Sequence, residues 1–165
     1  MSCLSIDEFV NAAKDFVQKS DKIHDGWFLK ENTHCVNKTY IKKYAFIPHE
    51  CNGNNIILKV EYIIFFHMSY QVPTFSFNIW NSSGSLISLE EIRLMSFLQI
   101  NQKEFYSVIT QQEHPLFQRP YFMVHPCHTD ELLTMFQNKS KNIIVTFLGL
   151  ITPLINLNLS MDYGL

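Results

Sequence analysis

From Tyr40 to Trp80 the chain is dominated by β-branched and aromatic residues, broken by a polar run at 49–55 that contains Asn52-Gly53 and by Val72-Pro73. Such side chains suit a pleated surface, and Asn-Gly between two apolar runs is the strongest short-range signal of a hairpin. Strands are therefore predicted over Tyr40–Ile47 and Ile56–Tyr70, antiparallel and joined through a turn at His49–Asn55. Thr74–Trp80 alternates with period two, placing Phe75, Phe77 and Ile79 on one face and Thr74, Ser76, Asn78 and Trp80 on the other. That is the pattern of a half-buried strand, with Asn81–Gly84 as its exit turn. A chain patterned this way is committed to an antiparallel meander.

A meander with one apolar face needs helices to cover it, and the flanking sequence supplies them. Ser5 and Glu8 have capping-box spacing, and Ile6, Phe9, Val10, Ala13, Phe16 and Val17 recur at helical intervals, predicting a helix that ends near Ser20. Trp27 begins the next apolar stretch. Ser88 and Glu91 repeat the capping spacing ahead of Ile92, Met95 and Leu98. Glu113-His114-Pro115 and Arg119-Pro120 mark turns around a loop, because a residue before proline is driven out of the helical region. Tyr121–Val124 reads as a short buried strand running straight into His125-Pro126-Cys127. Thr129 is the expected cap of a following helix, with Asp130 and Glu131 in its first turn and Leu132, Leu133 and Phe136 facing the core. This order implies an α+β fold, read as a single domain over residues 1–165.

Hydrophobic residues make up 47% of the 165, which is enough for a real core and argues against disorder. A net charge of -2 with scattered Lys and Arg offers no phosphate-binding surface, so nucleic acid is not an expected partner. Met1–Glu8 carries acids where a secretory signal has a basic start and an apolar run, which points to the cytoplasm. The Asn-x-Ser/Thr sequences at Asn37, Asn81, Asn138 and Asn158 carry little weight in that setting. The most apolar stretch, Ile143–Leu159, is interrupted by Thr146, Thr152, Pro153, Asn156 and Asn158 and falls short of the roughly 20 residues that cross a bilayer. It is expected to pack on the sheet as a buried segment. Cys3, Cys35, Cys51 and Cys127 lie far apart, with neither zinc-ligand spacing nor a disulfide framework, and no cofactor is implied.

Cys127 stands apart from the other thiols. A thiolate is favoured by a nearby cation or helix start, and this position has His125 and His128 beside it and a predicted helix after it, while Asp130 and Glu131 act against it. Pro126 fixes the backbone immediately before the thiol. Taken alone, the residues fit a nucleophilic cysteine, a buried packing cysteine, or a metal site built from His114, His125, Cys127 and His128. A cysteine protease would need a base, an orienting partner and an oxyanion hole, and no signature joins the histidines in that way.

His125-Pro126-Cys127-His128-Thr129, with the upstream Thr110-Gln111-Gln112-Glu113-His114-Pro115, closely resembles the catalytic stretch of the autophagy-related protein ten family, the E2-like enzymes of autophagy, and especially its animal members. Tyr62, Ser69-Tyr70-Gln71-Val72-Pro73, the Gly84 and Leu86 region and Leu157-Asn158-Leu159 extend the likeness from about Val60 to Tyr163. The resemblance implies a minimal E2-like (UBC-like) fold and a ubiquitin-like cargo, autophagy-related protein twelve. It further implies that the cargo is received from the E1-like autophagy-related protein seven, held as a thioester on Cys127 and passed to a lysine of autophagy-related protein five. Ubiquitin E2 enzymes carry His-Pro-Asn several residues before the cysteine, whereas here the cysteine follows His-Pro directly. The oxyanion donor must then lie elsewhere, with Tyr70, Gln111, Gln112 and the backbone N–H groups of His128 and Thr129 as candidates. His114 and His125 are expected to shape turns rather than act as bases. The rival reading is a non-catalytic E2-like or RWD-like binding module with an idle cysteine.

Overall fold

The computed structural model describes residues 4–95, 104–136, 139–155 and 157–164; within them, the side chains of His128, Glu131 and Leu132 lie outside the description, as do Leu98, Asn138 and Asn156 entirely. The expected first helix, α1 (Ile6–Ile23), forms with Ser5 and Glu8 in a reciprocal capping box, and runs past Ser20 to a left-handed cap at His24. Among the described residues six strands follow: β1 (Phe28–Lys30), β2 (Tyr40–Cys51), β3 (Asn54–His67), β4 (Val72–Trp80), β5 (Ile109–Glu113) and β6 (Pro120–Val124). They make one antiparallel sheet in the order β1-β2-β3-β4-β6-β5. Between β4 and β5 come α2 (Leu89–Leu94), opened by the predicted Ser88–Glu91 capping box, and the one-turn α3 (Phe105–Val108). After β6 come α4 (Cys127–Phe136) and α5 (Ile143–Ile155). The arrangement is the α+β meander with helices that the sequence implies.

The hairpin is tighter than the polar run suggested. Asn52 and Gly53 both take positive φ, at 52° and 77°, as a two-residue type I′ turn requires, and Cys51 pairs directly with Asn54. His49, Glu50, Cys51, Asn54 and Asn55 are therefore strand residues, because the turn zips the backbone together whatever the polarity of the side chains. At the other end β3 stops at His67, and Tyr70 belongs to the Met68–Gln71 turn, closed by the Gln71 N–H donating to the His67 carbonyl at 2.7 Å.

The centre of the sheet, Val60–Phe66 of β3 with β4 and β6, is buried on both faces. On one face α1 and α5 cover Val60, Tyr62, Ile64, Phe66, Phe75 and Phe77, with Phe9 against Phe66 at 5.8 Å and Phe77 against Phe122 at 5.6 Å between ring centres. Each such ring withdrawn from water contributes roughly 2–3 kcal/mol. On the other face Ile63, Phe65, Tyr121 and Met123 form a smaller cluster beneath Leu116 and Phe117 of the loop between β5 and β6. Thr74, Ser76 and Asn78 are consequently buried, so β4 is not half-buried as its alternation implied; the loop supplies a second lid that periodicity does not encode. Phe136, expected in the core, is exposed. Helix α5 buries Ile144, Phe147, Leu148, Ile151 and Ile155 with Pro153 inside it, and among the described residues no helix is long and apolar enough to cross a membrane.

Candidate functional site

Strand β6 is the rail that delivers Cys127. Tyr121, Phe122 and Met123 are fully buried between β4 and β5, which fixes the strand in three directions. The His125 N–H donates to the Val108 carbonyl at 2.8 Å as the chain leaves the sheet. Cys127 is the first residue of α4 and is exposed. The Pro126 carbonyl accepts the Thr129 and Asp130 N–H groups at 3.0 and 3.3 Å, so Pro126, not Thr129, is the residue at which the helix starts. Thr129 lies inside the first turn with its side chain buried. Its N–H is thereby engaged in the helix. Proline suits this place because a helix start leaves backbone donors unused and a fixed φ presets the turn.

Register brings the β3–β4 turn to the same spot. Ser76 stands opposite Met123 on one side and Ile63 on the other; continued along the ladder, that row runs toward Cys127, Val72 and His67, the last two of which are themselves paired. Tyr70 in that turn packs edge-on against His125, with ring centres 6.0 Å apart, and against His67 at 5.0 Å. Its side chain is 43% exposed, so the ring is neither distant nor sealed in the core. The Cys127 N–H donates to Nδ1 of His125 at 3.2 Å, which assigns the proton of the neutral imidazole to Nε2. Tyr70, His125, Pro126 and Cys127 thus form one contiguous group. His67 completes it, and its role could have been sought from parity, since it continues the Glu61, Ile63, Phe65 side of β3 as His125 continues the Tyr121, Met123 side of β6.

Gln111 and Gln112 lie on β5 rather than in a loop, both exposed. Because β5 is antiparallel to β6, Ile109 pairs with Val124 at the Cys127 end while Gln111 and Gln112 pair with Phe122 and Tyr121. They stand two and three residues back from Ile109, roughly 7–10 Å along the strand. Gln112 donates to the Met123 sulfur at 2.9 Å.

His114 is buried among Phe65, Phe117 and Tyr121, with ring centres at 4.5, 4.5 and 4.9 Å. Its Nδ1 accepts the Leu116 N–H at 3.1 Å, so Nε2 carries the proton and donates to Ser76 Oγ at 3.1 Å; that hydroxyl in turn donates to the Ile63 carbonyl. Burial pushes the imidazole down to about 3, and it stays neutral. Both ring nitrogens are occupied by hydrogen bonds in and beside the β5–β6 loop, which leaves none for a metal. Among the described residues no group of three or more His, Cys, Asp or Glu side chains is arranged to hold a metal ion.

A charged cluster on the same face escapes sequence reading. Glu61 is buried, paired with Lys42 at 2.9 Å and accepting the Tyr121 hydroxyl, which itself accepts from Arg119 at 2.9 Å. Burial opposes the carboxylate charge, but the Tyr121 hydroxyl and the Lys42 ammonium outweigh it and hold Glu61 below its usual range. The available signal was an acid inside the apolar run Val60-Glu61-Tyr62, a place where a charge survives only if paired. Of the other thiols, Cys35 precedes a 3₁₀ turn at Val36–Lys38, and Cys51 closes β2. Cys3 lies outside the described residues.

Comparison with known proteins gives this geometry a context. The ubiquitin-like-conjugating enzyme ATG10 of Homo sapiens is 33% identical over 121 residues, covering 66% of this chain and 53% of its own. The ubiquitin-like-conjugating enzyme ATG10 of Dictyostelium discoideum is 32% identical over 124 residues, covering 64% of this chain and 54% of its own. The chain thus spans about half the length of these curated relatives. A solved structure described as "Solution structures of KmAtg10" superposes with a TM-score of 0.48 at 14% identity, covering 95% of this chain and 98% of that one. The model of the family described as autophagocytosis associated protein, active-site domain, matches residues 8–161, and the chain belongs to that family.

Proposed function

We propose that this chain is an E2-like conjugating enzyme that carries a ubiquitin-like protein as a thioester on Cys127 and transfers it to a lysine. The observation that carries the reading is an exposed thiol at the first residue of α4, immediately after a buried strand and a proline. A helix start favours the thiolate, which is both nucleophile and leaving group. In loading, the Cys127 thiolate attacks the thioester carbonyl of the charged E1 and the E1 thiolate departs. In discharge, a lysine amine attacks the new thioester carbonyl, gives up its proton to solvent, and the Cys127 thiolate leaves with the electron pair. The relatives' names as ubiquitin-like-conjugating enzymes agree with this chemistry.

The specific partners are, in this proposal, autophagy-related protein seven as E1, autophagy-related protein twelve as cargo and autophagy-related protein five as acceptor, in the cytoplasm. Tyr70 is the proposed source of a hydrogen bond to the transferring state, since its ring stands beside His125 at the Cys127 end of β6. His125 and Pro126 hold the backbone at the thiol, and Gln111, Gln112, His114 and Thr129 shape the surrounding frame.

The test is charging with E1, ATP and the ubiquitin-like protein on a non-reducing gel. The thioester is expected to persist when Cys3, Cys35 and Cys51 are all changed to Ser, vanish in Cys127→Ala, and become a reductant-resistant oxyester in Cys127→Ser. A thioester on Cys127→Ala overturns the assignment. No adduct at all, where a control enzyme charges, favours the non-catalytic RWD-like module. Tyr70→Phe should slow discharge more than loading, and equal loss in both would make Tyr70 structural.

A further inference from the structure

The turn that carries Tyr70 is tied to the sheet through one residue's imidazole and carbonyl. His67, the last residue of β3, accepts the Tyr70 N–H on Nδ1 at 3.4 Å and its carbonyl accepts the Gln71 N–H at 2.7 Å. Gln71 takes a positive φ of 55°, so the turn holds a conformation that a non-glycine residue adopts at a cost and that these bonds offset. The His67 ring packs against Tyr70, Tyr70 packs against His125, and His125 accepts the Cys127 N–H. Three rings therefore stand in a row from the end of β3 to the first residue of α4.

We propose that His67 is a positioning residue for the transfer step: its Nδ1 fixes the Tyr70 turn, and through Tyr70 and His125 it sets the direction of the Cys127 backbone. This rests on the reading of Cys127 as the thioester carrier. The ring need not touch cargo or lysine; it acts by holding what does. The titratable and charged groups facing it are His125 from the α4 approach, Tyr70 from its own turn, and Cys35 and Lys38 across a cavity of about 240 Å³ beside Leu116. Burial first, and then repulsion from His125 whenever that ring is protonated, hold His67 below its ordinary value, which keeps Nδ1 free to accept near neutrality.

Two variants separate the atom from the ring. His67→Asn keeps an acceptor oxygen near the place of Nδ1 without titrating, and His67→Phe keeps a ring against Tyr70 without an acceptor. Amide spectra of the uncharged full chain read the geometry with no cargo present. His67→Phe is expected to move both the Tyr70 and the Cys127 amide resonances and to slow discharge to lysine by about threefold to tenfold, the range for one lost hydrogen bond. His67→Asn should keep both resonances near wild type and remove the extra loss of discharge that wild type shows as pH falls through the His67 titration. An unmoved Cys127 resonance in His67→Phe, or equal slowing in Asn and Phe, overturns the proposal. Failure of the wild type to charge at all would instead overturn the proposed function, and the resonances would still judge His67.

Discussion

Burial keeps His114 neutral and thereby makes the fold sensitive to acid. The folded imidazole titrates at about 3 against 6.5 for an ordinary one, so below 6.5 the unfolded chain binds a proton that the folded chain refuses. Stability from this residue is complete above 6.5 and declines as pH falls toward about 3, with a limiting slope of about 1.4 kcal/mol per unit. Between about pH 7 and about pH 5 the loss is about 2 kcal/mol. His114→Phe abolishes the titration while leaving a ring to meet Phe65 and Phe117. Two losses lower its stability at neutral pH: the Ser76 bond and the acceptor for the Leu116 N–H. Urea unfolding of both proteins at the two pH values gives the test as a difference of differences, in which Glu61 and the other groups common to both cancel. Wild type should lose about 2 kcal/mol more than His114→Phe over that interval. Parallel losses would show that the folded imidazole protonates freely, and the argument from burial would fail.

Lys42→Met leaves the Glu61 carboxylate buried beside Tyr121 without its cation and should cost about 3 kcal/mol in urea unfolding at neutral pH; a cost near zero would mean that Tyr121 and Arg119 suffice. Thr74→Val removes a buried hydroxyl that has no hydrogen-bond partner among the described residues, and should raise stability by about 1 kcal/mol, so a loss on the same scale would contradict it. Gly53→Ala meets no steric obstacle but must hold φ near 77°, and should cost about 1 kcal/mol by the same assay; no change would argue against the I′ turn.

The elements with strong local codes were legible in the sequence. Ser5 with Glu8 and Ser88 with Glu91 form the capping boxes that their spacing announces, and Asn52-Gly53 forms the hairpin turn, because each signal is satisfied within a few residues. What the code missed was set at long range. The burial of Thr74, Ser76 and Asn78 depends on a loop some forty residues later, folded over the sheet by His114, Leu116 and Phe117. The helix start at Pro126 was hidden because its decisive atom is a backbone carbonyl, whereas Thr129 advertised a side-chain cap. Cys127 stands out by its neighbours in sequence and Tyr70 only through the resemblance carried by Ser69-Tyr70-Gln71-Val72-Pro73, and the catalytic role of each is a proposal. His67 needed the β3–β4–β6 register, which sequence spacing alone does not supply.

The same hairpin divides one strand into two regimes of motion. Among the described residues, β3 beyond the Lys59–Trp80 pair has no ladder partner other than β2, and β2 has β1 beside it only at Tyr40–Lys42. Residues 47–58 are therefore a two-stranded ribbon growing out of a six-stranded sheet, with Ile57 exposed on one side and Ile47, Ile56 and Leu58 against the core on the other. Such a ribbon is marginal by itself, and fraying from its tip exposes little of the core. Amide protons of Val60–Phe66 should exchange only on global unfolding, while those of Asn54–Ile57 on the same strand exchange through local opening many times faster. The free end of the hairpin can thus flex without loosening β6 or the thiol that β6 delivers.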